Sequence, residues 1–192
     1  MDIRFTHQSY LLRRKVFKFL GGAFHIYDPQ GNLAFFCEQK GLKLKEDIRI
    51  YGDLNKQTEL LRIFARQTLD VRGRFDVFDS TTGEKVGMLE RRMFKSLLRD
   101  EWDIYNADEV QIGVIQEESQ ALALIRRFLF NLIPQTFNAT VNDQLVATFK
   151  QNFNPFVLKI SIDFSSDTLN TFDRRLGISA GVLLAAIERR QR

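Results

Sequence analysis

Residues 173–192 read DRRLGISAGVLLAAIERRQR, and the interpretation of this stretch decides the fold. Three interpretations are open. Gly177, Ser179 and Gly181 form a G-x-S-x-G pattern, which is typical of the turn that carries a hydrolase nucleophile. The weakly polar to apolar run at 176–187 lies between arginines, as in a membrane anchor. The same run also suits an unusually apolar helix that is buried within the protein itself.

The hydrolase interpretation lacks its partner residues. A nucleophilic serine of this type follows a strand, precedes a helix, and is followed in the chain by an acid and then a histidine. The chain has two histidines, His7 and His25, and both precede Ser179. The residues before the serine, LNTFDRRL, are charged and helix-like. We therefore expect no catalytic residues and no enzymatic activity.

The membrane-anchor interpretation fails on length. As a helix, the run at 176–187 spans roughly 18 Å at about 1.5 Å per residue, whereas a hydrocarbon core of roughly 30 Å needs about twenty apolar residues. We therefore predict no transmembrane segment. A short helix with apolar groups on most sides is better explained as one surrounded by protein.

The small residues of the run support burial of this helix, because they would let enclosing strands approach it closely. They are Gly177, Ser179, Ala180, Gly181, Ala185 and Ala186. Asp173 is a plausible N-cap for the helix. The specific prediction is that Val182, Leu183 and Ile187 are almost fully buried by surrounding strands.

Most of the remaining chain reads as short strands. Apolar and polar residues alternate in DIRIYGD at 47–53 and in LKISIDF at 158–164, which predicts strands with one face on a core. Turn-forming residues predict three hairpins, and further β-rich runs predict three more strands. The predicted turns lie at 28–32, 79–83 and 141–144, and the further strands at 59–66, 102–106 and 109–117. Roughly ten to twelve strands are too many for an open sheet, so the sheet should close or split.

A second helix is predicted in SQALALIRRFLFNLI at 119–133. Leu122, Ile125, Leu129 and Leu132 have helical spacing with arginines on another face, and a proline follows at position 134. No Pro-, Gly- or Ser-rich tract divides the chain, so we predict one domain over residues 1–192.

The composition and motifs of the sequence argue against disulfide, metal and cofactor chemistry. Cys37 is the only cysteine, which suits a reducing, cytoplasmic compartment, and no secretory signal is visible at the N-terminus. With two histidines and one cysteine the chain has no transition-metal motif, and it has no phosphate-binding or dinucleotide-binding motif. Asp163, Asp167 and Asp173 lack the spacing of a calcium loop, so turn and cap roles are expected. We therefore predict no metal site and no cofactor.

The best candidate site is ERRMFKSLLRDEW at 90–102. It places Arg91, Arg92, Lys95 and Arg99 around apolar residues, and cations that flank exposed apolar residues suit a lipid headgroup region. The alternative is a charged strand edge that leads into a loop. The net charge of +4 is compatible with an anionic partner without requiring one.

Two parts of the sequence resemble a known family. These are RGRFDVFDSTTGEKVGMLERRMFKSLLRDEWDIYNADEVQIGVIQEES at 72–119 and ATFKQNFNPFVLKISIDF, followed by the final apolar helix. They resemble the LURP-one-related and phospholipid-scramblase-like branch of the tubby C-terminal domain superfamily, over roughly residues 14–190. The resemblance implies a closed β-barrel of about a dozen strands threaded by the C-terminal helix. The proline-rich region, palmitoylation segment and long terminal anchor of scramblases are missing, so scrambling is not expected.

The combined prediction is a mainly β (α+β) fold: a closed antiparallel β-barrel of about twelve strands that encloses the hydrophobic C-terminal helix, with one additional amphipathic helix. The resemblance implies a non-enzymatic tubby-like binding domain that engages anionic phospholipid headgroups, such as phosphoinositides, or a protein partner. The alternative is a LURP-one-related protein without lipid binding. Nucleic-acid binding is disfavoured, because the basic and aromatic residues of RRKVFKF at 13–19 describe an ordinary strand pair.

Overall fold

The computed structural model describes residues 2–15, 22–39, 47–66, 73–92, 101–118, 135–152 and 157–187. Within these residues the chain forms twelve strands, one α-helix and a short 3₁₀-helix at Ile3–Phe5. The strands are β1 Ser9–Lys15, β2 Gly22–Tyr27, β3 Leu33–Gln39, β4 Ile48–Tyr51, β5 Glu59–Ala65, β6 Gly73–Asp79, β7 Lys85–Arg91, β8 Glu101–Tyr105, β9 Gln111–Glu117, β10 Thr136–Val141, β11 Gln144–Asn152 and β12 Val157–Asp163. Helix α1 is Arg174–Ile187.

The strands form a closed barrel in which neighbours in sequence are neighbours in space. Each strand pairs antiparallel with the next, and β1 pairs antiparallel with β12 to close the ring. The prediction of a mainly β, closed antiparallel barrel of about twelve strands is therefore confirmed. Closure leaves none of the twelve described strands with an unpaired edge, which removes the usual route to edge-to-edge aggregation among them.

Strand alternation separates a core face from an outer face. In β12 Ile160 and Ile162 are buried, whereas Lys159 and Ser161 on the other face are partly exposed. The same alternation places Leu12 of β1 in the core. Period-two patterning in the sequence thus translated directly into burial.

The three predicted hairpins are confirmed, and their turn residues have the expected geometry. Gly31 and Gly83 have φ values of 86° and 77°, in the region that favours glycine. In the β10–β11 hairpin Asn142 and Asp143 both have positive φ, at 49° and 63°. Two consecutive left-handed residues form the turn type that matches the twist of paired strands.

Helix α1 begins at its predicted cap. The Asp173 side chain accepts a hydrogen bond from the Arg175 backbone N–H at 2.8 Å, which satisfies a donor that lacks a partner within the helix. Every residue at 176–186 is buried, and these residues make three turns of helix. The predicted burial of Val182 and Leu183 is confirmed, since both are fully buried; the side chain of Ile187 lies outside the described residues.

Glycines allow close packing around α1. A Cβ atom at Gly177 would lie 2.4 Å from the Phe164 ring, and one at Gly181 would lie 2.5 Å from the Ile162 side chain. Both distances are below normal van der Waals contact. The G-x-S-x-G pattern is therefore explained by packing against neighbouring side chains.

Charged side chains hold both ends of α1. At its start, Arg175 donates to Asp79 of β6 at 2.7 Å. Near its end, Arg14 of β1 donates to the Ala185 carbonyl at 3.5 Å. A cation near the last carbonyls of a helix interacts favourably with the helix dipole.

The N-terminal segment was not predicted as structured. The Asp2 side chain accepts a hydrogen bond from the Arg4 backbone N–H at 2.9 Å and so caps the 3₁₀-helix. Phe5 is buried and its ring centroid lies 4.8 Å from that of Phe35. Tyr10 donates to the Arg4 carbonyl at 2.7 Å, which fixes this segment against β1.

The predicted amphipathic helix at 119–133 lies outside the described residues. Among the residues that are described, no helix is both long and apolar enough to cross a membrane.

Cys37 should be unreactive in the folded protein. Its side chain is fully buried in β3, and this burial raises the pKa of the thiol to about 12. Because the thiolate is the reactive form, we expect a thiol-directed reagent at neutral pH to label the native protein far more slowly than the protein unfolded in guanidinium chloride. Equal labelling rates in the two states would contradict the buried position of β3.

Candidate functional site

The structure describes two of the four predicted site residues. Arg91 is the last residue of β7, and Arg92 follows it. Lys95 and Arg99 lie outside the described residues. The description of the predicted site is therefore limited to its first two cations.

Arg92 is engaged within the protein. Its Nε donates to Asp103 of β8 at 2.7 Å, and its guanidinium also binds Glu101. Asp103 is buried and accepts a further hydrogen bond from Gln111 at 2.7 Å. Hydrogen bonding to Asp103 raises the pKa of Arg92 above its ordinary value. The charge of Arg92 is therefore compensated by two carboxylates of the neighbouring strand.

Arg91 and Arg92 lie on opposite faces of the sheet. Arg91 pairs with Trp102, which is buried in the core, whereas Arg92 shares a face with Asp103. Since side chains alternate along a strand, the two adjacent arginines are directed to different surroundings. The two described cations therefore do not converge on one ligand.

A second ion-pair network lies on the outer face of β5–β7. The buried carboxylate of Asp76 contacts Lys85 at 3.0 Å and binds Arg66 at 2.9 Å. Glu109, in the β8–β9 turn, also contacts both cations. Hydrogen bonds from Arg66 and Lys85 lower the pKa of Glu109 to about 2. Charge on this face is thus balanced, although the sequence pattern did not reveal it.

The motif residues near α1 have structural roles. Ser179 is fully buried, and its hydroxyl donates to the Arg175 carbonyl at 2.8 Å. Asp163 accepts a hydrogen bond from the Ser165 backbone at 2.8 Å, and Asp167 accepts one from the Thr171 backbone at 2.8 Å. The expected turn and cap roles of these aspartates are confirmed. Within the described part of the chain, no group of three or more potential metal ligands is positioned to hold an ion.

Three cations on the outer face of the barrel lack a carboxylate partner among the described residues. Arg13 of β1, Lys150 of β11 and Lys159 of β12 lie on the outer face of three neighbouring strands. Among the described residues, none of the three forms an ion pair with a carboxylate. Ten other described cations do form such pairs: Arg4, Arg49, Lys56, Arg62, Arg66, Arg74, Lys85, Arg92, Arg174 and Arg175. We call Arg13, Lys150 and Lys159 the cation triplet.

The sequence also differs in charge between the segments that join strands at the two ends of the barrel. At one end lie the turns at 28–32, 52–58, 80–84, 106–110 and 142–143, together with the segments 2–8 and 164–173. These residues contain nine acidic and two basic side chains, and we call this the acidic end. The opposite end, at which β1, β7 and β11 finish and β12 begins, is called the basic end.

The segments that join strands at the basic end have a positive net charge, as counted from the sequence. The residues that join successive strands there, with residues 188–192 after α1, contain fourteen basic and six acidic side chains. Much of this sequence lies outside the described residues, and its charge is counted from the sequence alone. The cation triplet lies two residues from the strand ends on this side.

The chain was compared with models of known protein families. Residues 33–191 match the family profile described as LURP-one-related. The chain therefore belongs to the LURP-one-related family, which lies in the tubby-like superfamily. The match begins at Leu33, the first residue of β3, so β1 and β2 precede it. A search among curated proteins found no match.

Proposed function

We propose that the protein is a non-enzymatic, tubby-like binding domain that engages anionic phospholipid headgroups, phosphoinositides in particular, at a cytoplasmic membrane surface. The observation that carries this proposal is the opposite charge, counted from the sequence, of the segments that join strands at the two ends of the barrel. A basic end attracts an anionic bilayer, each cation near the surface contributing about 1 kcal/mol. The acidic end would be repelled by the same surface, so the charge pattern favours one orientation.

Distance separates most of the charges of the two ends, although Arg66 of the basic end is paired with Glu109 of the acidic end. A seven-residue strand spans roughly 23 Å along its axis at about 3.3 Å per residue, whereas the Debye length at physiological ionic strength is about 8 Å. The acidic end therefore does little to weaken the attraction of the basic end.

The non-enzymatic part of the proposal is supported by the packing of α1. Because residues 176–186 are buried and α1 packs against β6, β7 and β12, we infer that the helix occupies the interior of the barrel. A filled interior leaves the outer surface and the ends as the places where a ligand binds.

A protein partner is the second candidate, and the acidic end favours it. Four large apolar side chains there are exposed: Ile3, Leu54, Val110 and Leu169. Exposed apolar residues among carboxylates suit a basic protein surface better than an anionic bilayer.

Vesicle sedimentation tests the lipid proposal. We expect the protein to pellet with phosphatidylcholine vesicles that contain phosphatidylinositol bisphosphate, to stay in the supernatant with phosphatidylcholine alone, and to be released by high salt. Changing both Lys95 and Arg99 to glutamine should weaken binding about tenfold or more.

The control for this experiment lies at the acidic end. A variant with Leu54 and Leu169 changed to serine should bind vesicles like the wild type, because these residues face away from the proposed membrane surface. Equal recovery of the wild-type protein in both supernatants would remove the lipid proposal and leave the protein partner as the better candidate.

A further inference from the structure

We infer that the cation triplet is a binding site for a phosphate monoester group, such as those carried by a phosphorylated inositol ring. The inference rests on the lipid-binding function proposed above and gives it a specific site. The site lies on β11, β12 and β1, whereas the segment predicted from the sequence follows β7 on the other side of the barrel.

Strand register brings the three cations together. Antiparallel pairing places Arg13 of β1 directly opposite Lys159 of β12, and Lys150 of β11 opposite Ser161 of β12. Side chains directly opposite each other have Cβ atoms about 4.5–5.5 Å apart, and diagonal neighbours lie about 7–8 Å apart. One phosphate group can therefore contact Arg13 and Lys159 together, with Lys150 within reach of a second.

The arrangement is unfavourable for stability on its own. Like charges directly opposite each other in a sheet are destabilising, and ten other described cations each lie beside a carboxylate. Strands β1, β2, β10 and β11 contain no acidic residue, and β12 contains only Asp163. Asp163 lies four residues from Lys159, roughly 13 Å along the strand, and accepts a hydrogen bond from the Ser165 backbone. A bound anion would supply the missing negative charge.

Two aromatic residues, Tyr27 and His25, lie beside Arg13 of the proposed phosphate site. The Arg13 guanidinium lies 5.8 Å from the centroid of the Tyr27 ring, which restrains the arginine side chain. His25 of β2 lies directly opposite Arg13, and its ring centroid lies 6.4 Å from that of Tyr27. Arginine binds phosphate through two parallel N–H donors, and lysine adds a point charge. The site thus combines a planar guanidinium donor with two lysine point charges.

Lys159→Glu gives the sharpest test, because it should have opposite effects on binding and on stability. The change converts a repulsive cross-strand pair with Arg13 into an attractive one, so Tm should rise by roughly 1–4 °C. Affinity for vesicles with phosphatidylinositol bisphosphate should fall about tenfold or more. Calorimetry with soluble inositol trisphosphate should show the same loss, which would identify the phosphate group itself as the ligand.

Matched neutral variants complete the experiment. Lys159→Gln and Lys56→Gln change the net charge equally, but Lys56 lies in the 52–58 turn and is paired with Glu38. Only Lys159→Gln should weaken binding. Wild-type binding to vesicles together with unchanged binding of both Lys159 variants would overturn the inference and leave the proposed function intact. Binding of soluble inositol trisphosphate without vesicle binding would support the site and overturn the membrane function. No binding of either probe by the wild type would overturn both.

Discussion

Leu183→Asp is expected to abolish folding. Leu183 is fully buried in the middle of α1, and its neighbours Val182 and Leu184 are buried as well. Placing an unpaired carboxylate there costs several kcal/mol, and the lost leucine packing adds about 2–5 kcal/mol. Domains of this kind are stable by only about 5–15 kcal/mol. We expect an insoluble product, or a soluble one without a cooperative thermal transition in circular dichroism.

Leu169→Asp is the matched control, because Leu169 is 74% exposed in the segment just before α1. This variant should melt like the wild type. A folded, soluble Leu183→Asp protein with an unchanged Tm would contradict the position of α1 in the core.

The second large effect is expected at Asp167. Its side chain is 1% exposed and binds the buried guanidinium of Arg174 at 2.7 Å. It also accepts hydrogen bonds from the backbones of Thr171 and Phe172 at 2.8 and 3.1 Å. Asp167→Ala leaves Arg174 buried without its carboxylate, which costs about 3–5 kcal/mol. Because Arg174 keeps a hydrogen bond to Asn170 at 3.0 Å, the lower end of this range is expected.

The effect of Asp167→Ala should depend on pH. Burial by itself raises the pKa of Asp167, but hydrogen bonds from Arg174, Thr171 and Phe172 outweigh burial, and the pKa in the folded protein lies below the ordinary 3.8. A carboxyl group whose pKa is lowered by folding stabilises the protein fully above its ordinary pKa, and this stabilisation is lost as the pH falls through the folded value. The stability difference between wild type and variant should therefore be constant near neutral pH and shrink below about pH 3.8.

Urea unfolding at a series of pH values measures this difference. Asp108→Ala, at an exposed position in the β8–β9 turn, provides a control that should change stability by less than about 0.5 kcal/mol. A difference for Asp167→Ala that stays constant into strongly acidic solution would show that the charge of the carboxylate does not stabilise this corner of the fold.

Sequence patterns predicted the parts of the fold that depend on local information. The β10–β11 turn follows from two residues that tolerate positive φ, Asn142 and Asp143. The start of α1 follows from one capping side chain, Asp173. The burial of Val182 and Leu183 follows from the length and apolarity of their helix.

The candidate sites were harder to predict, because they depend on register between strands. Arg13 and Lys159 are 146 positions apart in the chain and meet only because β1 pairs with β12. Arg92 looked like a candidate ligand in the sequence, but the pairing of β7 with β8 brings Asp103 beside it. Cross-strand partners of this kind leave no local signal in the sequence. The pairing of Arg92 with Asp103 and the proximity of Arg13 to Lys159 could therefore not be predicted.

The position of α1 after all twelve strands affects how the chain folds during synthesis. Buried apolar residues of the strands and of α1 belong to one core, and the ring closes only when β1 pairs with β12, the last strand in the chain. At about 5–20 residues per second, the ribosome takes several seconds or more to reach α1. Until then, the strands already synthesised expose apolar surface, and the ring has open strand edges until β12 is made. Nascent chains arrested before residue 174 should therefore bind chaperones, and release should follow once α1 has left the ribosome.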